Sequence, residues 1–243
     1  MTPETSPMAT ASSSLAADRP GPPGVLTQAW AVLIKDLRVE FRTRLALAAV
    51  VLFALTTLVA VGFAVGPGSS ASVQAALLWI VLYFAALTGL TRAFVGEEEA
   101  RTADGLRLAA GGSAVFVGKL AFNLLLLAVL ALLLVPGFVL LMGTRVADVG
   151  LLVGALVAGG AALGSALTFT GALVAQAHSR GTLGAVVSFP LVAPLLKLAM
   201  DATQAAFLGG AGSGGWAAVT SAAALGGIVT VLAVLLFDTV WSA

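Results

Sequence analysis

The side chains that carry most protein chemistry are scarce in this chain. Across 243 residues there is one histidine, His178, and no cysteine. A thiolate nucleophile, a disulfide framework, an iron–sulfur site and a Cys-ligated zinc are therefore excluded for this chain alone. His178 stands two residues before Arg180 in a short segment with no second ligand near it, so it reads as a solvated loop histidine. Met142 and Met200 carry thioethers that could meet a soft metal or a haem iron, but methionine more commonly fills irregular packing, and packing is the reading adopted. The stretch Gly112-Ser113-Ala114-Val115-Phe116-Val117-Gly118-Lys119-Leu120 approaches a phosphate loop. It has five residues between its glycines and Leu120 where a magnesium-binding Ser or Thr is needed, so it is not one. No pair of carboxylates falls inside the long apolar runs. Catalysis by this chain is not expected, and if ATP drives the protein the nucleotide site belongs to another chain.

Two charged elements stand out. From Leu26 to Arg44 the apolar residues Leu26, Trp30, Leu33, Leu37 and Phe41 recur at three- or four-residue steps, with Lys35, Asp36, Arg38, Glu40, Arg42 and Arg44 between them. This spacing predicts an interfacial helix with Trp30 as its anchor and its basic residues toward anionic lipid. The second element begins at Gly96 and places Glu97, Glu98 and Glu99 ahead of Arg101, Asp104 and Arg107. Acids first and bases last suit a short helix, because carboxylates favour the positive amino end. Leu106 and Leu108 are unusually apolar for a solvated loop and would suit a partner's groove, although such charge patterning is commonly just a wetted face.

The elements that position these residues follow from composition. Hydrophobic residues make up 60% of the chain and charged residues only 9%, against about 25% charged in soluble domains. The chain is thus an integral membrane protein, and its net charge of +1 gives no reason to expect nucleic acid as a partner. Uncharged runs hold six spans, near 45–65, 73–95, 120–142, 150–176, 183–200 and 217–239. The first run is about twice the ~20 residues that cross a bilayer and divides at Gly66-Pro67-Gly68. Apolar residues are continuous rather than alternating, which excludes a barrel and leaves helices. Of the Lys and Arg residues only Arg145 and Lys197 fall on one side of this topology. The other side is therefore cytoplasmic and holds both termini. Arg92 and Lys197 are placed near span ends, where long side chains snorkel to the headgroups. Residues 1–24, rich in Ser, Thr, Ala and Pro, read as a disordered cytoplasmic tail. Pro136, Pro190 and Pro194 predict helix kinks, and Gly150, Gly154, Gly160 and Gly164 predict close helix approach.

The order of these elements resembles an ABC-2-type permease, and more narrowly the haem exporter protein B family (CcmB) of cytochrome c maturation. The resemblance runs from about Ala29 to Trp241. It is carried by Leu33-Ile34-Lys35-Asp36-Leu37-Arg38-Val39-Glu40-Phe41-Arg42, by Arg92-Ala93-Phe94-Val95-Gly96-Glu97-Glu98-Glu99 and by Gly118-Lys119-Leu120-Ala121-Phe122-Asn123-Leu124. Phe189-Pro190-Leu191-Val192-Ala193-Pro194-Leu195-Leu196 followed by Asp201-Ala202-Thr203 is similar too. The inner loop departs from the family, with Asp104-Gly105-Leu106-Arg107-Leu108-Ala109 and then Gly111-Gly112-Ser113 where a proline-led turn is usual.

The resemblance implies an all-α membrane protein of six transmembrane helices behind an amphipathic interfacial helix (25–44), the permease domain occupying 45–243. It implies a homodimer in the bacterial inner membrane with cytoplasmic ABC ATPase subunits of the CcmA kind, the 97–108 segment acting as coupling helix. Haem-handling partners of the CcmC and CcmD kind and a periplasmic haem chaperone of the CcmE kind are implied as well. ATP is then bound by the partner subunit, and haem is handled by other subunits, with no cofactor held by this chain. The alternatives are an ABC-2 permease for a lipid, glycan or drug, a membrane assembly scaffold that never couples to nucleotide, and, remotely, an intramembrane enzyme. Whether haem itself is moved, or ATP instead releases a loaded chaperone, is left open by these residues.

Overall fold

In a bilayer no water reaches the backbone, so every spanning segment must satisfy its own N–H and C=O groups, and long apolar runs become helices. The computed structural model describes residues 24–43, 45–90, 105, 110–176, 180–210 and 214–242. Among them lie α1 (Val25–Thr43), α2 (Leu45–Val65), α3 (Ala71–Leu90), α4 (Gly112–Met142), α5 (Val149–Gln176), α6 (Arg180–Leu208) and α7 (Gly215–Ser242), with no strand. Six of these, α2 to α7, are long and apolar enough to cross a membrane. The chain is thus a multi-pass membrane protein, with α1 leading into α2 at one end of the bundle.

Two helices outrun the expected spans. Helix α4 starts at Gly112 instead of near 120, so the stretch expected as inner loop forms its first turns. Ala114, Val115, Phe116, Gly118 and Lys119 are all buried there. Burial supplies what local sequence does not: Val115 and Phe116 join Val32 of α1, Ala172 of α5 and Phe237 of α7 in a small apolar cluster. The Phe116 and Phe237 rings meet at 5.3 Å. Helix α6 continues to Leu208, past the expected end at 200. The N–H groups of Ala147 and Asp148 donate to the Ala206 carbonyl at 3.1 and 3.0 Å, which satisfies a carbonyl near the helix end and docks the 143–148 loop on it. Pro136, Pro190 and Pro194 lie inside α4 and α6, whose helical runs continue past them.

Helix α5 is the most enclosed span, packed chiefly on α6 and α7 and also on α4. It reaches that position through small residues. A Cβ on Gly159 would stand 2.6 Å from the Trp79 ring of α3 and 2.8 Å from Ala199 of α6. One on Gly226 of α7 would stand 2.9 Å from the Ala162 backbone. Gly160 and Gly164 face Leu127 and Leu124 of α4, as their spacing led one to expect. Gly159, outside that spacing, is more tightly enclosed than Gly160, because α3 and α6 converge on it from two sides.

Side-chain hydrogen bonds clasp the same helices. Trp79 Nε1 donates to Thr203 Oγ1 at 2.8 Å, joining α3 to α6. Asn123 Nδ2 donates to Thr168 Oγ1 at 2.8 Å, joining α4 to α5. The Ser165 and Thr230 hydroxyls lie 2.7 Å apart between α5 and α7. Each such bond contributes about 0.6 kcal/mol within a membrane, so packing dominates and the clasps fix register.

Because nothing stands within 4 Å of a Cβ on Gly227, the two glycines make a paired test. Gly159→Ala should lower stability by about 1–3 kcal/mol through overpacking, while Gly227→Ala should leave it unchanged or slightly raised. Thermal unfolding of the detergent-purified protein, followed by the monodisperse peak in size-exclusion chromatography, checks both.

Candidate functional site

Helix α1 carries two faces. Leu26, Trp30 and Phe41, members of the expected apolar stripe, are 80%, 64% and 67% exposed, while Leu33 and Leu37 are half-buried. That stripe faces away from the bundle and fits a helix lying against lipid. The face that holds the bundle is a different one, made of Gln28, Ala29, Val32 and Asp36, again at three- and four-residue steps. Ala29 and Val32 are buried. A Cβ on Gly118 of α4 would stand 2.7 Å from both the Ala29 carbonyl oxygen and Val32 Cβ, so α1 lies on the backbone of α4 there. Gln28 Oε1 accepts the Gly111 N–H at 3.1 Å, at the amino end of α4.

Lys119 completes this joint. Counted in the sequence among the charges on the side expected to be cytoplasmic, it is fully buried, 0% exposed, in the second turn of α4. Its Nζ lies 3.5 Å from Asp36 Oδ2, and the other Asp36 oxygen lies 3.2 Å from Nζ of Lys35. One carboxylate thus holds a solvent-side and a buried cation together. A buried ammonium costs several kcal/mol unless it is paired, and Asp36 brings one carboxylate to Lys119 from α1. Four residues further along α4, Asn123 is also fully buried and bonded to Thr168, and its Oδ1 has no hydrogen-bond partner.

Of the other expected residues on α1, Arg38 and Arg42 are exposed and Glu40 is half-buried. Glu97, Glu98, Glu99, Arg101, Asp104, Leu106, Arg107 and Leu108 lie outside the described residues, as do Arg92 and His178. The segment that holds the first group nevertheless joins the end of α3 to Gly111, where α1 and α4 meet. Met142 is buried in the main apolar core and Met200 packs against it. Sequence reading missed the joint because Lys119 and Asp36 are far apart in the chain; the Gln28, Ala29, Val32, Asp36 spacing was the available clue.

A second charged pair sits elsewhere. Lys197, expected beside a span end, lies well inside α6 and donates to Asp201 Oδ1 at 2.6 Å. Nine residues separate it from Ala206, which is level with the start of α5, so Lys197 is about 14 Å inward of that level at 1.5 Å per residue. Both side chains are substantially exposed, 71% and 43%. With Pro190, Pro194 and Gln204 they form one outward stripe of α6, whereas the exposed faces of α2, α4 and α7 present residues such as Phe63, Leu132 and Leu235.

A groove of about 540 Å³ lies between α3, α4 and α5, with Trp79, Leu124, Leu132, Pro136 and Gly160 among its lining. All of its lining residues are apolar. Among the described residues no three His, Cys, Asp or Glu side chains gather as a metal site would require.

The tight joint gives a direct expectation. Gly118→Ala forces α1 off α4, because the obstructing atoms include backbone, and should destabilise the chain by about 1–3 kcal/mol. Limited proteolysis in membranes should then cut within α1 sooner than in the parent protein.

The comparisons with known proteins agree with this architecture. The family model described as CcmB protein matches residues 27–239, from the first turn of α1 to the last turns of α7. Heme exporter protein B of Bradyrhizobium diazoefficiens is 31% identical over 191 residues, covering 76% of this chain and 84% of that protein. With nearly all of α1, the six spans and the Asp36–Lys119 joint inside the matched region, the chain belongs to the CcmB family.

Proposed function

We propose that this chain is the membrane permease subunit of an ABC transporter in the bacterial inner membrane, serving haem export or haem-chaperone release in c-type cytochrome biogenesis. Its membership of the CcmB family and its likeness to a heme exporter protein B support the reading. The observation that carries the mechanism is the α1–α4 joint. A segment docked on a cytoplasmic ATPase between α3 and α4 would push on Gly111 and Gly112. Those residues continue rigidly into the turns that hold Ala29, Val32 and Asp36. Movement of the ATPase subunits would thereby reach α1 and α4 together. In this reading Glu97, Glu98, Glu99, Arg101, Asp104, Leu106, Arg107 and Leu108 form the docking element, both termini are cytoplasmic, and ATP hydrolysis belongs to the partner.

In this reading haem ligation belongs to other subunits. The homodimer is supported by α6, whose polar stripe fits poorly against lipid tails and whose Lys197 and Asp201 are self-complementary about a two-fold axis.

Two experiments test this. Leu106→Asp combined with Glu99→Lys should lower c-type cytochrome content and ATPase co-purification by about tenfold at unchanged membrane abundance, a loss of roughly 1.4 kcal/mol of coupling or more. Unchanged values for both would remove the docking role. Since the chain has no native cysteine, Gln204→Cys should give a cross-linked dimer in native membranes and Leu132→Cys should not. The reverse pattern would place the dimer face on α4.

A further inference from the structure

The groove between α3, α4 and α5 has small residues on both of its long walls, Ala128 on α4 and Gly160 on α5 among them. Its floor includes Trp79, Leu82 and Leu127, all buried. Its rim includes Leu132, Val153 and Val157, which are 78%, 52% and 66% exposed, so the groove opens sideways and is continuous with the lipid-facing surface of the spans. The one polar group among these side chains is engaged elsewhere. Trp79 Nε1 donates to Thr203 Oγ1 on α6, which leaves the apolar part of the indole for the groove.

The dimensions select the occupant. Along α4 the lining runs from Leu124 to Pro136, about 18 Å at 1.5 Å per residue, close to half of a hydrocarbon core ~30 Å thick. Spread over that length, 540 Å³ averages a cross-section of about 30 Å², where a helix 10–12 Å across needs roughly 80 Å² or more. A helix from a second copy or another subunit is too wide to lie in it, and a single hydrocarbon chain is not. Water needs two to four polar partners, which the lining side chains do not offer, and an empty groove forfeits the dispersion contacts of its walls. One end lies near the 143–148 loop: Pro136 is about 9 Å inward of Met142 and Val153 about 6 Å inward of Val149. That loop joins α4 to α5 and carries Arg145, exposed, which brings a cation to the level of a phosphate headgroup.

We propose that the groove holds one acyl chain of a membrane phospholipid, taken from the leaflet on the side of the 143–148 loop, with its phosphate near Arg145. The chain completes the packing between α4 and α5. The inference rests on the membrane fold alone, and it stands or falls independently of the ATPase, haem and dimer readings.

The test makes Trp79 the sole tryptophan, through Trp30→Phe, Trp216→Phe and Trp241→Phe in the full chain, and reconstitutes it in vesicles of phosphatidylcholine with or without brominated acyl chains. Bromine quenches indole only on close approach. Brominated lipid should lower Trp79 emission about twofold or more, as a site occupied most of the time requires. Gly160→Leu and Ala128→Leu, which fill the groove from either wall, should restore the emission. No quenching by brominated lipid, or equal quenching in both filled variants, overturns the proposal. Capture of Leu132→Cys by a second copy or another subunit in native membranes also overturns it, because protein would then cover the rim; failure of Gln204→Cys to cross-link leaves it untouched. As a minor component, brominated phosphatidylglycerol should compete for the site about fivefold better than the brominated phosphatidylcholine, an advantage that Arg145→Gln removes. No advantage in the parent chain overturns the headgroup assignment. Should the sole-tryptophan chain fail to fold, native mass spectrometry decides: Ala128→Leu should keep one phospholipid fewer than the parent protein, and equal numbers overturn the proposal.

Discussion

Helix α5 sits inside the bundle because its neighbours reach its backbone. Ala162 meets Gly226 of α7, and Gly159 receives Trp79 of α3 and Ala199 of α6. Lipid tails are as apolar as leucine, so no hydrophobic drive pulls spans together, and close packing at small residues has to do so. The rest of the arrangement depends on that enclosure. Trp79 reaches Thr203 only because α3 and α6 both close on Gly159, and Ser165 reaches Thr230 only because α7 lies backbone to backbone with α5. The polar clasps are consequences of the packing and in turn fix which rotation of each helix is allowed.

The end of the bundle that carries α1 follows a different rule. There α1 buries Ala29 and Val32 and contributes one carboxylate, Leu33 and Leu37 are half-buried, and Leu26, Trp30 and Phe41 point outward. The packing of α1 on α4 is more extensive than that of any other helix on α4, and a charge on each side adds one directed contact to it.

Much of this was legible from the residues. The six spans, the amphipathic α1 and the family followed from charge-free runs, three- and four-residue periodicity and the order of motifs. What could not be read was anything that rests on contacts between distant segments. Lys119 looked like a loop charge because a lysine ahead of an apolar run marks a boundary; the approach of Asp36 from α1, distant in the chain, brings it a carboxylate inside the bundle. The reach of α6 to Leu208 was hidden for the same reason, since Asp201 and Gln204 look like loop residues until Ala147 and Asp148 are seen to cap the helix. The stripe of α1 that touches the bundle was overlooked because alanine and valine are less conspicuous than tryptophan and phenylalanine.

The prolines of α6 have a mechanical meaning. Pro194 cannot donate to the carbonyl of Pro190, nor Pro190 to that of Val186, so two rungs of the ladder are missing within a little over two turns. Beyond them toward Leu208, the helix is pinned by Trp79 and by the 143–148 loop. A rod anchored at one end and thinned near its middle bends at the thin place. Strain entering α6 from Arg180 would therefore be taken up as curvature around residues 186–194, before it reaches the anchored half that carries Lys197 and Asp201.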